Sequence, residues 1–341
     1  MPTAENFDAI ILGAGGAGLM CAGVAGQRGR RVLVLDHADA PGKKILISGG
    51  GRCNFTNLLA APDRYLSANP HFAVSALRRY TAHDFLALVE SYGIAWHEKT
   101  LGQLFCDNSA RQIVDLLLAE CAKGDVAVRL SSPIREVEHA DSRFRVTAGS
   151  TEAEAPALVI ATGGPSIPKL GATGFAYDLA RRFGLKVVEP RPALVPLTLG
   201  GDEALFRTLS GVAAPVEARC NGAAFREAAL FTHRGMSGPA ILQVSSYWRH
   251  GMALGVDFLP EQSDGWLLQE KQERPRARLG TLLRQRLPER LADTLAERLA
   301  VTADLGNVPD RALADAEQRL RDWRFHPSGT EGFAKAEVTV G

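Results

Sequence analysis

The run Gly13-Ala14-Gly15-Gly16-Ala17-Gly18 constrains this chain more than any other feature. It follows the short apolar stretch Asp8-Ala9-Ile10-Ile11-Leu12 and precedes a segment, Leu19 to Arg28, that can continue as a helix. A second apolar stretch, Arg31 to Leu35, then ends at Asp36. Strand, glycine turn, helix and strand within about thirty residues make the minimal parallel βαβ unit. In the pattern G-x-G-x-x-G each glycine serves a different mechanical purpose. Gly13 permits the tight turn, Gly15 lets backbone approach a pyrophosphate, and Gly18 allows the helix to lie close on the strand. Gly16 and Ala17 open the helix, whose N-terminal N–H groups favour an anion. Asp36, eighteen residues after Gly18, is placed to accept hydrogen bonds from a ribose diol. An acid there fits a dinucleotide with a free 2′-hydroxyl, FAD or NAD, and disfavours NADP.

Ala9 to Gly26 carries no charge, which approaches the length of a membrane span. Six of those positions are glycine and the flank holds Glu5 and Asp8, so the segment reads as a buried strand and turn, with no membrane partner. Five cysteines, Cys21, Cys53, Cys106, Cys121 and Cys220, are scattered without a C-x-x-C pair. That excludes a disulfide framework and a zinc site, leaves no metal-ligand set, and fits the cytoplasm. Lys plus Arg number 39 against 38 acids, a net charge of +1. On that balance the partner is expected to be a small molecule and not nucleic acid.

The remaining pattern predicts helices over 70–92 and 109–123, strands within 126–147, a buried strand at Ala157 to Ala161, and a helix from Thr173 to Phe183 stopped by Gly184. Pro190, Pro192 and Pro196 mark a domain crossing. Beyond it, Asn221-Gly222 between Pro215–Cys220 and Ala223–Leu230 signals a hairpin. A further strand is expected over Leu254–Leu259. Leu283, Leu287, Leu291, Leu295 and Leu299 fall four apart, with Pro288 splitting two helices, and a last helix covers Asp310–Trp323. Ala336 to Val340 has strand composition.

A second glycine loop decides between the two dinucleotides. Gly42-Lys43-Lys44 leads into Ile47-Ser48-Gly49-Gly50-Gly51-Arg52-Cys53-Asn54, which can bring several backbone N–H groups and a cation to one anionic ligand. These two loops, together with Ala161-Thr162-Gly163-Gly164 and the run Leu230 to Pro239 (LFTHRGMSGP), resemble the YhiN/BaiN-like bacterial flavoproteins over nearly the whole chain. The resemblance implies an α/β fold: a Rossmann-like FAD-binding domain with a parallel central sheet over 1–190 and 326–341, a β-rich insertion over 191–275, and a helical segment over 276–325. It implies FAD as cofactor, with NAD(P)H as electron donor, and an oxidoreductase whose substrates are mostly undefined, one branch acting on unsaturated bile-acid intermediates. Gly13, Gly15, Gly18 and Asp36, with Gly16, Ala17 and His37, would hold the AMP half. Lys44, Ser48, Gly50, Gly51, Arg52, Cys53 and Asn54 would approach pyrophosphate and flavin, and Ala161, Thr162, Gly163 and Gly164 would pack near the cofactor. Members of the family continue past a strand like Ala336–Val340 into a glycine-rich segment; the expectation is that this chain lacks it and binds FAD poorly.

For catalysis the sequence offers His233 and Arg234 in the FTHRGMSGP turn, and Cys53 in the second loop. His233 and Arg234 could orient a carbonyl and donate a proton, or serve as a cap or an ion pair. A lone Cys53 is more often a small buried residue than a reactive one. An NAD-dependent dehydrogenase would explain the first loop but not the second. A flavin-dependent RNA-modifying protein would call for a basic surface, and a nucleotide sensor would bind FAD without turnover.

Overall fold

The computed structural model describes residues 4–340. They divide into two units, one ending at Val188 and one running from Glu189 to Val340.

The first unit is organised by four parallel strands in the order Ala157–Ile160, Ala9–Leu12, Val32–Leu35, Ala127–Arg129. The two central strands, Ala9–Leu12 and Val32–Leu35, are apolar on both faces because both faces are covered. Ile11, Val32 and Val34 point into one core with Leu19 and Ala22 of the helix Gly16–Gln27, and with Ile113, Leu116 and Leu117 of the helix Arg111–Lys123. Ile10, Leu12, Leu33 and Leu35 point the other way, into a core shared with Val137, Val146 and Ala153. Those last three belong to a second sheet whose order is Glu5–Asn6, Thr151–Ala155, Arg143–Ala148, Ile134–Ala140. The expected helix over 70–92 is two helices, Val74–Arg79 and Ala82–Ser91. Thr81 and Asp84 restart it by a reciprocal capping box, Asp84 N–H donating to Thr81 Oγ1 and Thr81 N–H to Asp84 Oδ2. Gly184, at φ +72°, follows the helix Phe175–Arg182 as the C′ residue expected of it.

The helices 16–27 and 111–123 approach closely because glycines face the contact. A Cβ at Gly26 would stand 2.5 Å from the Gly124 carbonyl oxygen. Glu120 closes this seam. Burial pushes its carboxyl up, but hydrogen bonds donated by Lys123, Tyr92 and Gln27 outweigh it and leave the group at about 2. The unfolded value is 4.5, so the folded pKa is depressed. The stabilisation is fully present above pH 4.5 and is lost as the pH falls towards 2; the shift corresponds to about 3 kcal/mol. Glu120→Gln is therefore expected to lower the melting temperature at pH 7 and to flatten the acid limb of stability between about pH 5 and 2. Parallel melting curves of the two proteins across that range check it, and an unchanged acid limb would refute it.

The second unit carries an antiparallel sheet of seven strands, in the order Trp323–Phe325, Leu254–Asp257, Ala213–Cys220, Ala223–Phe231, Gly235–Ser237, Leu197–Thr198, Gly329–Thr330. Asn221 and Gly222 turn the hairpin at φ +48° and +79°, the two positive angles of a type I′ turn. The helices Leu279–Arg284 and Glu289–Leu299 flank Pro288, and all five leucines of the four-residue repeat are buried.

Three features differ from expectation. The helical stretch 276–325 shares one core with the β-rich stretch, Leu291 and Leu295 packing in the same cluster as Val216 and Val256. Trp323 lies in a strand, the helix Asp310–Arg321 having ended before it. Val338–Val340 does form a strand, but it pairs antiparallel with Arg191–Ala193 and does not join the parallel sheet. Each of these partners lies far away in sequence, where a local pattern carries no information about pairing.

Candidate functional site

Three of the parallel strands end side by side, and each hands its next residue to the same cavity: Gly13 after Leu12, Asp36 after Leu35, and Ala161 after Ile160. Ala9–Leu12 is flanked by 32–35 on one side and 157–160 on the other, so the connections leave it in opposite directions. A crevice at the carboxyl ends of strands at such a reversal is where doubly wound folds bind ligands. The cavity measures about 570 Å³, within the range of small-molecule and cofactor sites.

The glycine turn is built as its sequence demands. Gly13 sits at φ +110°, and its N–H donates to the Leu35 carbonyl at 2.8 Å. A Cβ there would lie 2.5 Å from the Ala161 oxygen, and one at Gly18 would lie 1.9 Å from the Gly13 oxygen. Both glycines are thus required by backbone packing. Gly15 differs: nothing stands within 4 Å of its Cβ position, which faces open space. The helix 16–27 starts here with no side-chain cap and no acid in its first turn, so its leading N–H groups remain available to an anion.

Asp36 is engaged in a way the spacing alone did not reveal. Ala14 N–H donates to its Oδ2 at 2.6 Å and Ala38 N–H to its Oδ1 at 2.8 Å. The carboxylate ties the turn to the strand end, and His37 Nδ1 lies 3.5 Å from Oδ1. An ionised carboxylate has about four lone-pair sites, so about two remain for ribose hydroxyls. Gly42, at φ +63°, donates its N–H to the Ala14 carbonyl at 2.9 Å and brings Lys43 and Lys44 to the rim. Opposite, Thr162 Oγ1 is buried without a hydrogen-bond partner. A buried orphan hydroxyl is costly unless a ligand satisfies it. Open space at Gly15, unpaired helix N–H groups and an orphan hydroxyl together fit a dinucleotide.

Gly13, Gly15, Gly16, Ala17, Asp36, His37, Lys44 and Ala161–Gly164 therefore share one cavity. Of the second glycine loop, Gly42, Lys43 and Lys44 line it, whereas Ser48, Gly50, Gly51, Arg52, Cys53 and Asn54 do not. Ser48–Gly51 is a short 3-10 turn in which Gly49, Gly50 and Gly51 all have positive φ. Gly49 is fixed by close approach, its Cβ position being 2.6 Å from the Phe105 ring, while Gly50 faces open space as Gly15 does. Arg52 is exposed, and Asn54 starts a short strand against Gln103–Cys106. Cys53 is buried among Cys106 and Ile113, and burial pushes its thiol up, so it stays protonated at neutral pH. The expectation that no second cysteine lies near it holds only along the sequence, since the pairing of Asn54 with Phe105 brings Cys106 alongside.

His233 and Arg234 belong to the second unit and do not line the cavity. The His233 carbonyl accepts from Arg207 Nε at 3.1 Å, and Arg234 reaches the buried Glu331 carboxylate at 3.4 Å, an ion pair within that unit. Sequence reading missed Ser166 and the 170–173 segment, which line the cavity beyond the 161–164 turn. Their signal was weak, a Pro165 and a Gly171 in an unpatterned stretch.

A family profile described as "HI0933-like protein Rossmann domain" matches residues 7–308. A ribosomal RNA dihydrouridine synthase of Escherichia coli is 49% identical over 99% of this chain and 85% of its own length. One of Haemophilus influenzae bearing the same name is 44% identical over 97% of this chain and 84% of its own. A 3-dehydro-bile acid delta(4,6)-reductase of Clostridium scindens is 29% identical over 74% of this chain and 64% of its own. The first two names overturn the exclusion of nucleic acid drawn from net charge. A charge of +1 is a sum over the whole chain, and a sum hides any local excess. Among the described residues no helix is long and apolar enough to cross a membrane, and no cluster of metal-ligating side chains occurs.

Proposed function

This chain belongs to the HI0933-like Rossmann family of YhiN/BaiN-like flavoproteins, and from that premise we propose that it is an FAD-dependent reductase of uridine in ribosomal RNA. The observation that carries the reading is the 49% identity, over nearly the full chain, to a relative named for that reaction.

When bound, FAD supplies the two-electron chemistry: a hydride taken from NAD(P)H is delivered to one carbon of the uracil C5=C6 bond while a proton goes to the other. The chain's own part begins with binding. The N–H groups at the start of helix 16–27 and the bare backbone at Gly15 receive the pyrophosphate. Asp36 would hold the adenosine ribose through its free lone pairs, and the unpartnered Thr162 hydroxyl would be free to bond the cofactor. Gly50 and Arg52 lie on a loop suited to the flavin end, the open Cβ space at Gly50 admitting a close ligand. Cys53 acts there as packing, its buried thiol being neither a thiolate nor exposed. His233 is exposed, and its side chain has no hydrogen-bond partner among the described residues, which leaves it available to a substrate.

The test is direct. Purified protein with FAD and NADPH is incubated with ribosomal RNA lacking dihydrouridine, and the digested RNA is weighed by mass spectrometry. The expected product is a uridine heavier by two hydrogens at one position. NADPH oxidation that leaves the RNA unchanged, but proceeds with an unsaturated ketone, would overturn the RNA substrate in favour of a small-molecule reductase. His233→Gln separates role from scaffold: turnover on RNA is expected to fall while the flavin spectrum and melting temperature stay as in the parent, surface substitutions costing within about 0.5 kcal/mol.

A further inference from the structure

Between the short strand Asn54–Asn57 and the helix Ala82–Ser91, residues 59–80 run across the surface of the first unit. Every residue from Asp63 to Phe72 is exposed. Yet this is not the polar composition of a solvated loop. It holds Leu59, Tyr65, Leu66, Phe72 and Tyr80, five of the twelve large apolar side chains that stand exposed among the described residues. Phe72 is 76% exposed, more than any of the others. Such a concentration of exposed apolar surface marks an interaction site.

The segment is held in shape while its rings point outward. Asn57 Oδ1 accepts from Leu59 N–H at 2.7 Å, and Leu58 N–H donates to the Gly102 carbonyl at 2.9 Å, which fixes the entry. Ser67 Oγ accepts from Asn69 N–H, Asn69 Oδ1 from His71 N–H, and the Asn69 carbonyl from Phe72 N–H at 3.1 Å. A turn tied by three successive hydrogen bonds thus presents Phe72. Ala73 is buried just ahead of the helix Val74–Arg79, Val74 and Leu77 are half-buried, and Arg78 and Arg79 are exposed. Neither arginine has a carboxylate partner among the described residues; Arg64 alone is paired, with Asp63 at 3.6 Å.

Charge chooses the occupant. Three arginines against one aspartate give this segment +2, whereas the whole chain carries +1. Three exposed aromatic rings interleaved with unpaired guanidiniums suit a strand that offers flat bases and a phosphate backbone. We propose that residues 59–80 bind single-stranded RNA, Phe72 and Tyr65 stacking on bases and Arg78 and Arg79 contacting phosphates. This rests on the reading of the protein as an RNA-acting enzyme and names the surface by which it would grip that substrate.

The test uses the full chain with bound flavin and a labelled, unstructured, uridine-rich RNA, followed by fluorescence anisotropy across a salt series. Phe72→Ala is expected to weaken binding about thirtyfold, the middle of the range for losing one stacked base. Phe72→Trp should retain it. The double change Arg78→Ala with Arg79→Ala should reduce the slope of log affinity against log salt by about 1.4, two single-strand phosphate contacts. All variants should keep the parent's flavin absorbance, since none lines the dinucleotide cavity. If the parent binds and reduces ribosomal RNA while every variant matches it in affinity and slope, this surface is overturned and the enzymatic reading stands. If the parent neither binds RNA nor reduces it, both fall. Variants that lose only self-association in sedimentation, with RNA affinity intact, would overturn the proposal in favour of a second copy of the chain.

Discussion

Gly15→Val is expected to fold as the parent does and to lose its cofactor altogether. The two halves of that outcome come from different measurements on one residue. Gly15 has φ −84° and ψ −176°, ordinary extended backbone that valine adopts readily, and nothing lies within 4 Å of where its Cβ would be. Stability without cofactor should therefore change by no more than about 0.5 kcal/mol, with a small gain from the stiffer unfolded chain. That open space is the place a pyrophosphate needs for close approach to backbone, and a branched side chain fills it. Gly18 supplies the contrast. Its Cβ would stand 1.9 Å from the Gly13 oxygen, so even Gly18→Ala must push the helix off the strand and should lower the melting temperature with or without cofactor. Melting curves of both variants, with and without added FAD, separate the cases. Gly15→Val that retains FAD at the parent's affinity would mean that the pyrophosphate lies elsewhere.

The same two glycines show what the sequence could and could not disclose. The spacing G-x-G-x-x-G after an apolar run was enough to locate the turn, because its geometry is local and leaves few alternatives. The hairpin at Asn221-Gly222 and the leucine repeat split by Pro288 were legible for the same reason: each signal and its structural cause lie within a few residues. What failed was long-range. Nothing near Val338 announces Arg191–Ala193 as its partner strand, and nothing near Leu291 announces that it shares a core with Val216. Composition also misled where it was averaged. The net charge of +1 argued against RNA, while a short segment holding Arg64, Arg78 and Arg79 against Asp63 was already present in the sequence, with exposed rings around it. The second glycine loop shows a subtler limit. Its positive angles were foreseeable from three glycines, but whether it joins the cavity depends on tertiary placement, and only its opening Gly42-Lys43-Lys44 lines it.

Asp36→Ala is expected to damage the first unit even before any cofactor is added, and here the structure alters what the sequence implied. An acid at the end of the second strand reads as a ribose ligand, which predicts weaker cofactor binding. In the structure the carboxylate already accepts two backbone hydrogen bonds, from Ala14 N–H and Ala38 N–H. Alanine leaves both donors without that partner, one of them on the buried Ala14. Each bond to a charged group contributes about 1.5–3 kcal/mol, so the pair amounts to about 3–6 kcal/mol in the cofactor-free protein. Loss of the ribose contact adds a further factor in cofactor affinity, on the order of tenfold or more. Asp36→Asn refines the test: the amide keeps one acceptor oxygen and sets an NH₂ against the other backbone donor, so it should fall between parent and alanine in stability. Denaturant melts of the cofactor-free proteins, paired with FAD titrations, read the two effects apart. Should Asp36→Ala lose only cofactor affinity, its carboxylate would be a ligand group alone, and the tie from strand end to glycine turn would carry no weight in the fold.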